Sequence, residues 1–365
     1  MTVLGALLFF VLAIAPLVFL HELGHYGAGR VFGVHAEAFS IGFGRAVLQW
    51  TDKRGTEWRV GWLPLGGYVR FAGEMTPGEH DVGRRSDTLN AKPAWQRALI
   101  VAAGPAANFL FAIVMLTVLF GAIGEPRVPA VVGAVEQGSA AAAAGIRPGD
   151  RITAVNGDAV ERFDDIVMAV QVRADEPTPF TLQRGAQTLQ VTVTPRRALV
   201  TDLAGAKVSL GKVGVAPARL ERVRLSPVEL PGAAARFTAE SVQMMARALG
   251  QVVVGERGLA ELGGPVKVAA VSNRMAEAGL VAFLFFMVAV SINLGFINLL
   301  PVPMLDGGHL VFLAAEGLRG RPVTVRVQEM AYRSGLALLL AFTVFITVSD
   351  LSGLGLWGRL AGLIG

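Results

Sequence analysis

The chain of 365 residues is 53% hydrophobic and only 17% charged, with a mean hydropathy of +0.53, which excludes an ordinary soluble globular domain and favours a membrane protein. Its net charge of +5 comes from basic residues interspersed with acidic ones instead of a basic stripe with aromatic residues, so we expect no nucleic-acid partner. Because the sequence has no cysteine, any transition metal must be bound by histidine and carboxylate side chains.

Four apolar segments have the composition of membrane-spanning helices. They cover residues 3–27, 99–121, 280–300 and 334–348. A bilayer core about 30 Å thick needs roughly 20 helical residues, and each segment reaches or approaches that length. The first segment has the alternative of being a cleaved signal peptide, but no Lys or Arg precedes it and no small-residue cleavage pattern closes its apolar run. We therefore predict four spans.

The first span ends in the motif His21-Glu22-Leu23-Gly24-His25. Two histidines four residues apart project from one face of a helix and can hold one zinc ion, with Glu22 as a general base. An ionised carboxylate within the membrane costs about 2.5–3.5 kcal/mol even on lenient insertion scales, and a divalent metal with its bound water would compensate for it. The alternative is a pair of helix-capping histidines at the membrane interface.

The loop between the first two spans is rich in Lys and Arg, which predicts that it faces the cytoplasm. Both termini and the long middle segment would then lie on the opposite side, which in a bacterium is the periplasm. Within this loop, residues 58–60 and 67–71 flank Pro64-Leu65-Gly66 and predict a hairpin whose edge pairs with an extended substrate peptide. A plain cytoplasmic hairpin is the alternative.

The middle segment has the pattern of a small soluble domain. Strands are predicted at residues 131–135 and after the turn at 149–152, a short helix within 138–145, and a hairpin at 180–193 around Arg184-Gly185. The run from Gly138 to Ile152, continued by Val155-Asn156-Gly157, resembles the bacterial PDZ domain over about residues 126–195. An unrelated small β-domain with glycine turns is the alternative. Residues 231–250 predict a partly amphipathic helix, either on the membrane surface or packed on this domain.

A catalytic zinc commonly takes three protein ligands, and Asp306 is the best candidate for the third. It closes the apolar run Asn298-Leu299-Leu300-Pro301-Val302-Pro303-Met304-Leu305-Asp306. Pro301 and Pro303 break the helix, and irregular backbone at membrane depth is tolerated only where it is buried in protein or lines a cavity. Asn298 can hydrogen-bond peptide groups on such a wall or the carbonyls that the prolines free. Alternatively, Asp306 is only the N-cap of a helix at 307–318.

Together these motifs resemble the site-2 protease family of intramembrane zinc metalloproteases, most closely the bacterial group of the regulator of sigma-E protease. The resemblance runs nearly end to end and includes Gly42-Phe43-Gly44, Leu63-Pro64-Leu65-Gly66-Gly67-Tyr68-Val69, Gly104-Pro105-Ala106-Ala107-Asn108 and Gly264-Pro265. It implies zinc as the cofactor, His21, His25 and Asp306 as its ligands, and Glu22 as the base. The substrate-binding residues that it implies are Asn298, Pro301, Gly67, Tyr68, Val69, Gly42, Phe43 and Asn108. That group usually has two tandem PDZ domains, whereas this chain has room for one.

The expected fold is an α-helical polytopic membrane protein with four transmembrane helices, a membrane-associated β-hairpin and one inserted α+β PDZ domain. Residues 1–125 would hold the first two spans and the hairpin loop, and residues 126–197 the periplasmic PDZ domain. Residues 198–278 would form a linker with the amphipathic helix, and residues 279–365 the last two spans.

The expected function is hydrolysis of peptide bonds within the transmembrane segments of single-span membrane proteins. Substrates would be a pre-trimmed anti-sigma factor and remnant signal peptides, and the PDZ domain would filter them by size or capture new C-termini. The protein is expected to act as a monomer in the lipid bilayer of the bacterial inner membrane, with its active site near the cytoplasmic side. His35, His80 and His309 receive no role, and His309 is expected to be structural.

Two other functions fit parts of the sequence. One is a non-catalytic membrane adaptor that holds partners through its PDZ domain and keeps a structural zinc. A closed structural site has no use for an unligated acid such as Glu22, which argues against that reading. The other is a metal transporter, which would explain neither the PDZ domain nor the hairpin.

Overall fold

The structure is a computed structural model that describes residues 3–73, 86–171, 173–201, 207–219, 221–254 and 264–353, so His80 lies outside the described residues. The chain divides into two compact units. The membrane unit consists of Met1–Thr117, Ala234–Leu249 and Leu259–Gly365, and the inserted unit of Val118–Ala233 and Gly250–Gly258.

The described helices are α1 Val3–Val31, α2 Ala94–Ile123, α3 Ala140–Ala143, α4 Phe163–Gln171, α5 Leu230–Val254, α6 Pro265–Glu277, α7 Leu280–Asn298, α8 Asp306–Arg319 and α9 Val325–Gly353, with a 3-10 turn at Leu89–Ala91. The described strands are β1 Ala36–Thr51, β2 Glu57–Phe71, β3 Glu125–Arg127, β4 Val132–Val135, β5 Arg151–Val155, β6 Asp158–Ala159, β7 Thr178–Arg184, β8 Gln187–Val193, β9 Arg196–Thr201, β10 Lys207–Lys212, β11 Val215–Pro217 and β12 Glu221–Val223.

Four helices of the described chain are long and apolar enough to cross a membrane, at Gly5–Val31, Ala94–Ile123, Leu280–Asn298 and Val325–Val348. The prediction of a helical membrane protein with four spans is confirmed in this sense. Two helices begin earlier than predicted, α2 at Ala94 instead of residue 99 and α9 at Val325 instead of residue 334. Arg326, Glu329 and Arg333 interrupt the apolar pattern of α9, but charged residues with long side chains are good helix formers, so the helix continues past the apolar segment.

The spans pack through small and aromatic side chains. Ala13 and Leu17 of α1 are fully buried against Met287 of α7, with Phe111 and Phe283 packed around them. On their outer faces the spans expose large apolar side chains, including Leu7 and Leu8 of α1, Leu110 and Val114 of α2, and Leu338, Val344 and Phe345 of α9. Contiguous apolar surface of this kind is unfavourable in water and is suited to lipid.

β1 and β2 form an antiparallel pair in which both strands are sharply bent. Residues near Phe39 pair with two segments of β2 at once, since Phe39 lies opposite both Val69 and Trp58. The bend in β1 lies at Gly42, whose φ of +81° and close approach to the Leu63 carbonyl leave no room for a side chain. The chain therefore folds two long strands into a small sheet with the 67–71 segment at one edge.

The pairing predicted for the hairpin was wrong. Residues 58–60 and 67–71 belong to one strand and do not pair with each other, because the first half of β1 lies between them. Local turn residues at 64–66 indicated the bend correctly, but they carry no information about a partner strand that comes earlier in the chain.

In the inserted unit, β5 lies between β6 and β7, and β7 pairs with β8 around the turn at Gly185. Its core is formed by fully buried side chains that include Ile152, Ile166, Phe180 and Leu182. Arg184 makes two contacts with the buried carboxylate of Asp150, at 2.7 and 2.8 Å, and holds the pKa of that carboxyl below its usual range. The strands, short helix and hairpin predicted between residues 131 and 193 are all present.

The inserted unit extends further than residue 197, the predicted end of the domain. β11 pairs with β4 and β12 pairs with β3, while β10 pairs with β9. The described residues between 198 and 223 therefore include strand residues of β9 to β12 and are not a plain linker. β11 and β12 have only three residues each, and each is stabilised by a partner that local sequence patterns do not reveal. The amphipathic segment predicted at 231–250 is helical, within α5.

Candidate metal centre and active site

His21 and His25 lie one turn apart on α1, in its half that leads to the basic loop. Their Nε2 atoms are 3.2 Å apart, and both side chains are largely buried. The helix continues through the motif to Val31, so the two imidazoles are fixed on one face, as the spacing predicts.

Asp306 reaches the same point from a different part of the chain. It is the first residue of α8, after a loop in which Met304 has a φ of +82°. This loop lies tightly over the start of α8, since a Cβ on Gly307 or Gly308 would collide with the carbonyls of Leu299, Leu300 and Val302. An acid in the first turn of a helix also interacts favourably with the helix dipole. The tightly packed loop and the start of α8 therefore fix the position of the Asp306 carboxylate.

The three side chains converge as the sequence predicted. Asp306 Oδ2 lies 3.1 Å from His21 Nε2 and 3.6 Å from His25 Nε2, and the potential ligand atoms of all three residues lie within 4.8 Å of one another. Ligand atoms on a tetrahedral zinc with bonds of about 2.0–2.1 Å are separated by about 3.3 Å, so these distances fit a common ion.

A second observation supports a cation at this point. Asp306 Oδ2 is buried, and although both imidazoles lie near it, no contact has the angles of a hydrogen bond. A short contact with poor directionality is a weak hydrogen bond, so the carboxylate oxygen stays unsatisfied despite these distances. The lone pairs of the two imidazoles and of this oxygen point at one another and repel. A bound metal ion would accept all of them and remove the repulsion.

The far side of each imidazole is held by α2. His25 Nδ1 lies 2.9 Å from the Ile100 carbonyl, which can only accept, so Nδ1 carries the proton and Nε2 is free to bind a metal. His21 Nδ1 lies 3.1 Å from the amide nitrogen of Asn108, whose Oδ1 is buried without a partner. Exchanging the oxygen and nitrogen of that amide would give both His21 Nδ1–H and Oδ1 a partner. Asn108 then orients His21.

The structure does not place Asn108 where the sequence analysis expected it. Its side chain is completely buried behind His21 and is absent from the described lining of the cavity, so the expected contact with substrate has no support. Ser291 of α7 donates to the Asn108 carbonyl at 2.9 Å, which ties this part of α2 to α7. The positions of residues along α2 do not by themselves reveal which face of this helix packs against the histidines.

Glu22 lies beside the three converging side chains without joining them. It is 8% exposed, and the backbone N–H of Val69 in β2 donates to its carboxylate. A Cβ on Gly67 would lie 3.0 Å from Glu22 Cγ, so the strand can approach this close only with glycine there. An acid held next to a metal site but outside the ligand set has the position of a general base.

All four side chains open into one cavity of about 570 Å³. Its described lining is Val18, His21, Glu22, His25, Phe43, Gly66, Gly67, Tyr68, Val69, Phe71, Leu89, Ile100, Val101, Leu294, Asn298, Met304, Leu305, Asp306, His309 and Leu339. Five of the residues predicted to bind substrate therefore border it, namely Phe43, Gly67, Tyr68, Val69 and Asn298. Two others, Gly42 and Pro301, do not: Gly42 forms the bend of β1, and Pro301 is exposed on the loop before α8.

His309, which was expected to be structural, is a polar residue of the cavity lining. It is three residues after Asp306 on α8 and so lies on the same helix face, a spacing that was available as a signal.

Gly104 of α2 provides a test of this geometry. A Cβ at this position would collide with the imidazole of His25, so Gly104→Ala is expected to displace the ligand and lower zinc affinity about 10–100-fold, as other disturbances of ligand orientation do. Zinc content after dialysis and the melting temperature would be measured together. Gly27→Ala is the matched control, because this glycine of α1 has open space around it and its substitution should leave zinc content unchanged. Full zinc loading in Gly104→Ala would contradict the placement of His25.

Comparisons with known proteins agree with this chemistry. The profile of Peptidase family M50 matches residues 9–342. A protein of Agrobacterium fabrum provisionally named a zinc metalloprotease is 39% identical over 363 residues, covering 96% of each chain. A similarly named protein of Mesorhizobium japonicum is 38% identical, over 96% of this chain and 99% of its own. Metalloprotease MmpA of Caulobacter vibrioides is 37% identical, over 98% of this chain and 97% of its own.

Proposed function

Since this chain belongs to Peptidase family M50 and is a zinc metalloprotease with four apolar helices, we propose that it cleaves peptide bonds within the transmembrane segments of other membrane proteins. One observation carries the proposal: His21, His25 and Asp306 converge beside Glu22 in a cavity whose histidines and base belong to an apolar, membrane-length helix. A soluble protease has no need to build its site into such a helix.

The proposed ligands of the zinc are His21 Nε2, His25 Nε2 and the carboxylate of Asp306. When bound, zinc polarises a peptide carbonyl and makes a water molecule acidic near neutral pH. Glu22 takes one proton from the water that attacks the carbonyl carbon and delivers it to the departing amide nitrogen as the C–N bond breaks. The second proton of the water also ends on the amine, so the products are a carboxylate and a protonated amine, and Glu22 returns to its ionised form.

The substrate must be extended before it can be cut. In a helix its carbonyls are paired internally, and in lipid an unwound segment needs replacement hydrogen bonds. Strand β2 offers an edge at residues 67–71, where the Val69 N–H already points to Glu22, and peptides readily add to such edges. We propose that the unwound segment pairs there, with Phe43 and Tyr68 contacting its side chains and Asn298, at the end of α7, hydrogen-bonding its peptide groups.

The proposal also includes the membrane location of the protein, the role of the inserted unit and the class of substrate. The positive-inside pattern supports an inner-membrane protein with the basic β1–β2 loop in the cytoplasm and the inserted unit in the periplasm. The Gly138–Ile152 pattern and the strand arrangement support a PDZ-type inserted unit, which would filter substrates by size or bind their new C-termini. Single-span proteins of the anti-sigma factor type, trimmed outside the membrane, and remnant signal peptides are the proposed substrates.

The proposal is tested with purified protein in detergent and a single-span substrate labelled at both ends. Mass spectrometry of the products is expected to locate the cut within the apolar span. A zinc chelator should stop cleavage, and added Zn²⁺ but not Mg²⁺ should restore it, because a site with two imidazoles and one carboxylate suits zinc. Cuts confined to segments outside the span, or cleavage that persists after zinc has been removed, would refute the proposal.

A further inference from the structure

His309 is the polar side chain of the cavity that the proposed chemistry leaves unused. It lies three residues after Asp306 on α8, so the two side chains are neighbours on one helix face. Its Nδ1 atom lies 3.0 Å from the hydroxyl oxygen of Tyr332 on α9, and the two rings are 5.3 Å apart. The imidazole is thus held in place by a second helix.

The other ring nitrogen of His309 is free. Within the described chain, Nε2 has no hydrogen-bond partner, and it lies on the side of the ring away from the Tyr332 contact. A neutral imidazole has one donor and one acceptor nitrogen, and the contact made by one decides the role of the other. If the Tyr332 hydroxyl donates to Nδ1, Nε2 carries the proton and is a donor at the cavity wall.

The surroundings favour the neutral imidazole. Burial lowers the pKa of His309, although the negative charge of Asp306 acts in the opposite direction. A neutral N–H donor costs less to keep in an apolar cavity than a charged one does. The hydrogen bond that such a donor makes becomes strongest when negative charge develops on the accepting oxygen.

We propose that His309 is a catalytic residue whose Nε2–H donates to the substrate carbonyl oxygen as that oxygen becomes negative, with Tyr332 holding the imidazole in the required tautomer. This inference rests on the proposed function. No bond to His309 forms or breaks, and the proton stays on Nε2. Its effect is to stabilise the transition state from the side of α8, while Glu22 acts from the side of α1.

The alternative is a structural role, in which His309 and Tyr332 only tie α8 to α9. The two roles predict different patterns among three variants. Tyr332→Phe and His309→Leu both remove the hydrogen bond between α8 and α9, whereas only His309→Leu removes the Nε2–H donor. His309→Gln breaks the tie as well but keeps an amide donor near the position of Nε2.

The experiment measures kcat, KM, zinc content and melting temperature for each variant in detergent. Removing one donor to a developing oxyanion costs about 100–1,000-fold in kcat, so we expect a loss of that size for His309→Leu, with KM and zinc content near parental values. His309→Gln and Tyr332→Phe should retain kcat within about tenfold of the parent. The matched control is His35→Leu, since His35 lies outside the described lining of the cavity, and its kcat should be unchanged.

A measurement independent of turnover completes the test. A phosphinic peptide, whose tetrahedral oxygens imitate the transition state, should bind His309→Leu more weakly by the same factor as kcat/KM falls. Equal losses in His309→Leu, His309→Gln and Tyr332→Phe would assign His309 to the structural tie and overturn the inference.

Glu22→Gln, assayed in parallel, separates the two proposals. If it is inactive while His309→Leu keeps parental kcat and parental affinity for the phosphinic peptide, only the inference fails. If Glu22→Gln itself cleaves at the parental rate, Glu22 is not the base, and the mechanism given under the proposed function fails.

Discussion

Glu22→Gln is expected to retain a full complement of zinc and to lose cleavage of a membrane-embedded substrate by at least about 1,000-fold, the upper range for loss of a general base. The side chain is isosteric and lies outside the ligand set, and its amide oxygen can still accept the hydrogen bond from the Val69 N–H. The fold and the metal site should therefore survive. What disappears is the group that removes a proton from the attacking water.

The test compares product formation, bound zinc and melting temperature in the parent and the variant. Glu37→Gln is the matched control, because Glu37 is exposed and, among the residues that the structure describes, pairs with Arg70 alone, at 3.0 Å, an interaction worth about 0–1 kcal/mol at a surface. Parental activity in Glu22→Gln would remove Glu22 from the mechanism. Loss of zinc together with activity would instead make Glu22 a ligand.

Asp306→Asn is expected to weaken zinc binding by more than about 100-fold, since altering a ligand should cost at least as much as altering its supporting residues. The substitution replaces a charged oxygen donor by a neutral amide at nearly constant volume, so packing against His21 and His25 should change little. Activity should fall in parallel with zinc content and recover partly at high Zn²⁺ concentration.

Zinc content after dialysis against a graded metal buffer measures this effect directly. Asp158→Asn in the inserted unit is the matched control, because the side chain is exposed on β6 and should leave zinc affinity unchanged. Unchanged zinc affinity in Asp306→Asn would show that the carboxylate is not a ligand, whatever its distance from the imidazoles.

Much of the molecule was predictable because the relevant information is local. Hydropathy summed over about 20 residues identified the four spans, since the bilayer imposes its thickness on each helix separately. The two histidines needed only the helical repeat to be placed on one face. Alternation and turn residues likewise predicted the strands between residues 131 and 193, including the hairpin at Gly185.

Predictions that required a partner elsewhere in the chain were less successful. The β1–β2 sheet has a register in which Phe39 faces both Val69 and Trp58, and nothing in the 58–71 segment specifies an intervening strand. β11 and β12, with three residues each, are too short to have a pattern of their own. Asn108 was expected on the cavity wall but lies behind His21, because the packing of α1 against α2 decides which face of α2 the histidines meet.

Residue identity and local periodicity were enough to indicate the class of chemistry, the metal-binding residue types and the membrane setting. The fold was needed to show that Asp306 comes within 3.1 Å of His21, that Val69 faces Glu22, and that His309 shares their cavity. Each of these contacts joins elements that are distant along the chain. The distances in these contacts depend on how closely the helices and strands approach one another. Side-chain volume at the crossings limits how close they come, and glycine at positions 67 and 104 permits a close approach.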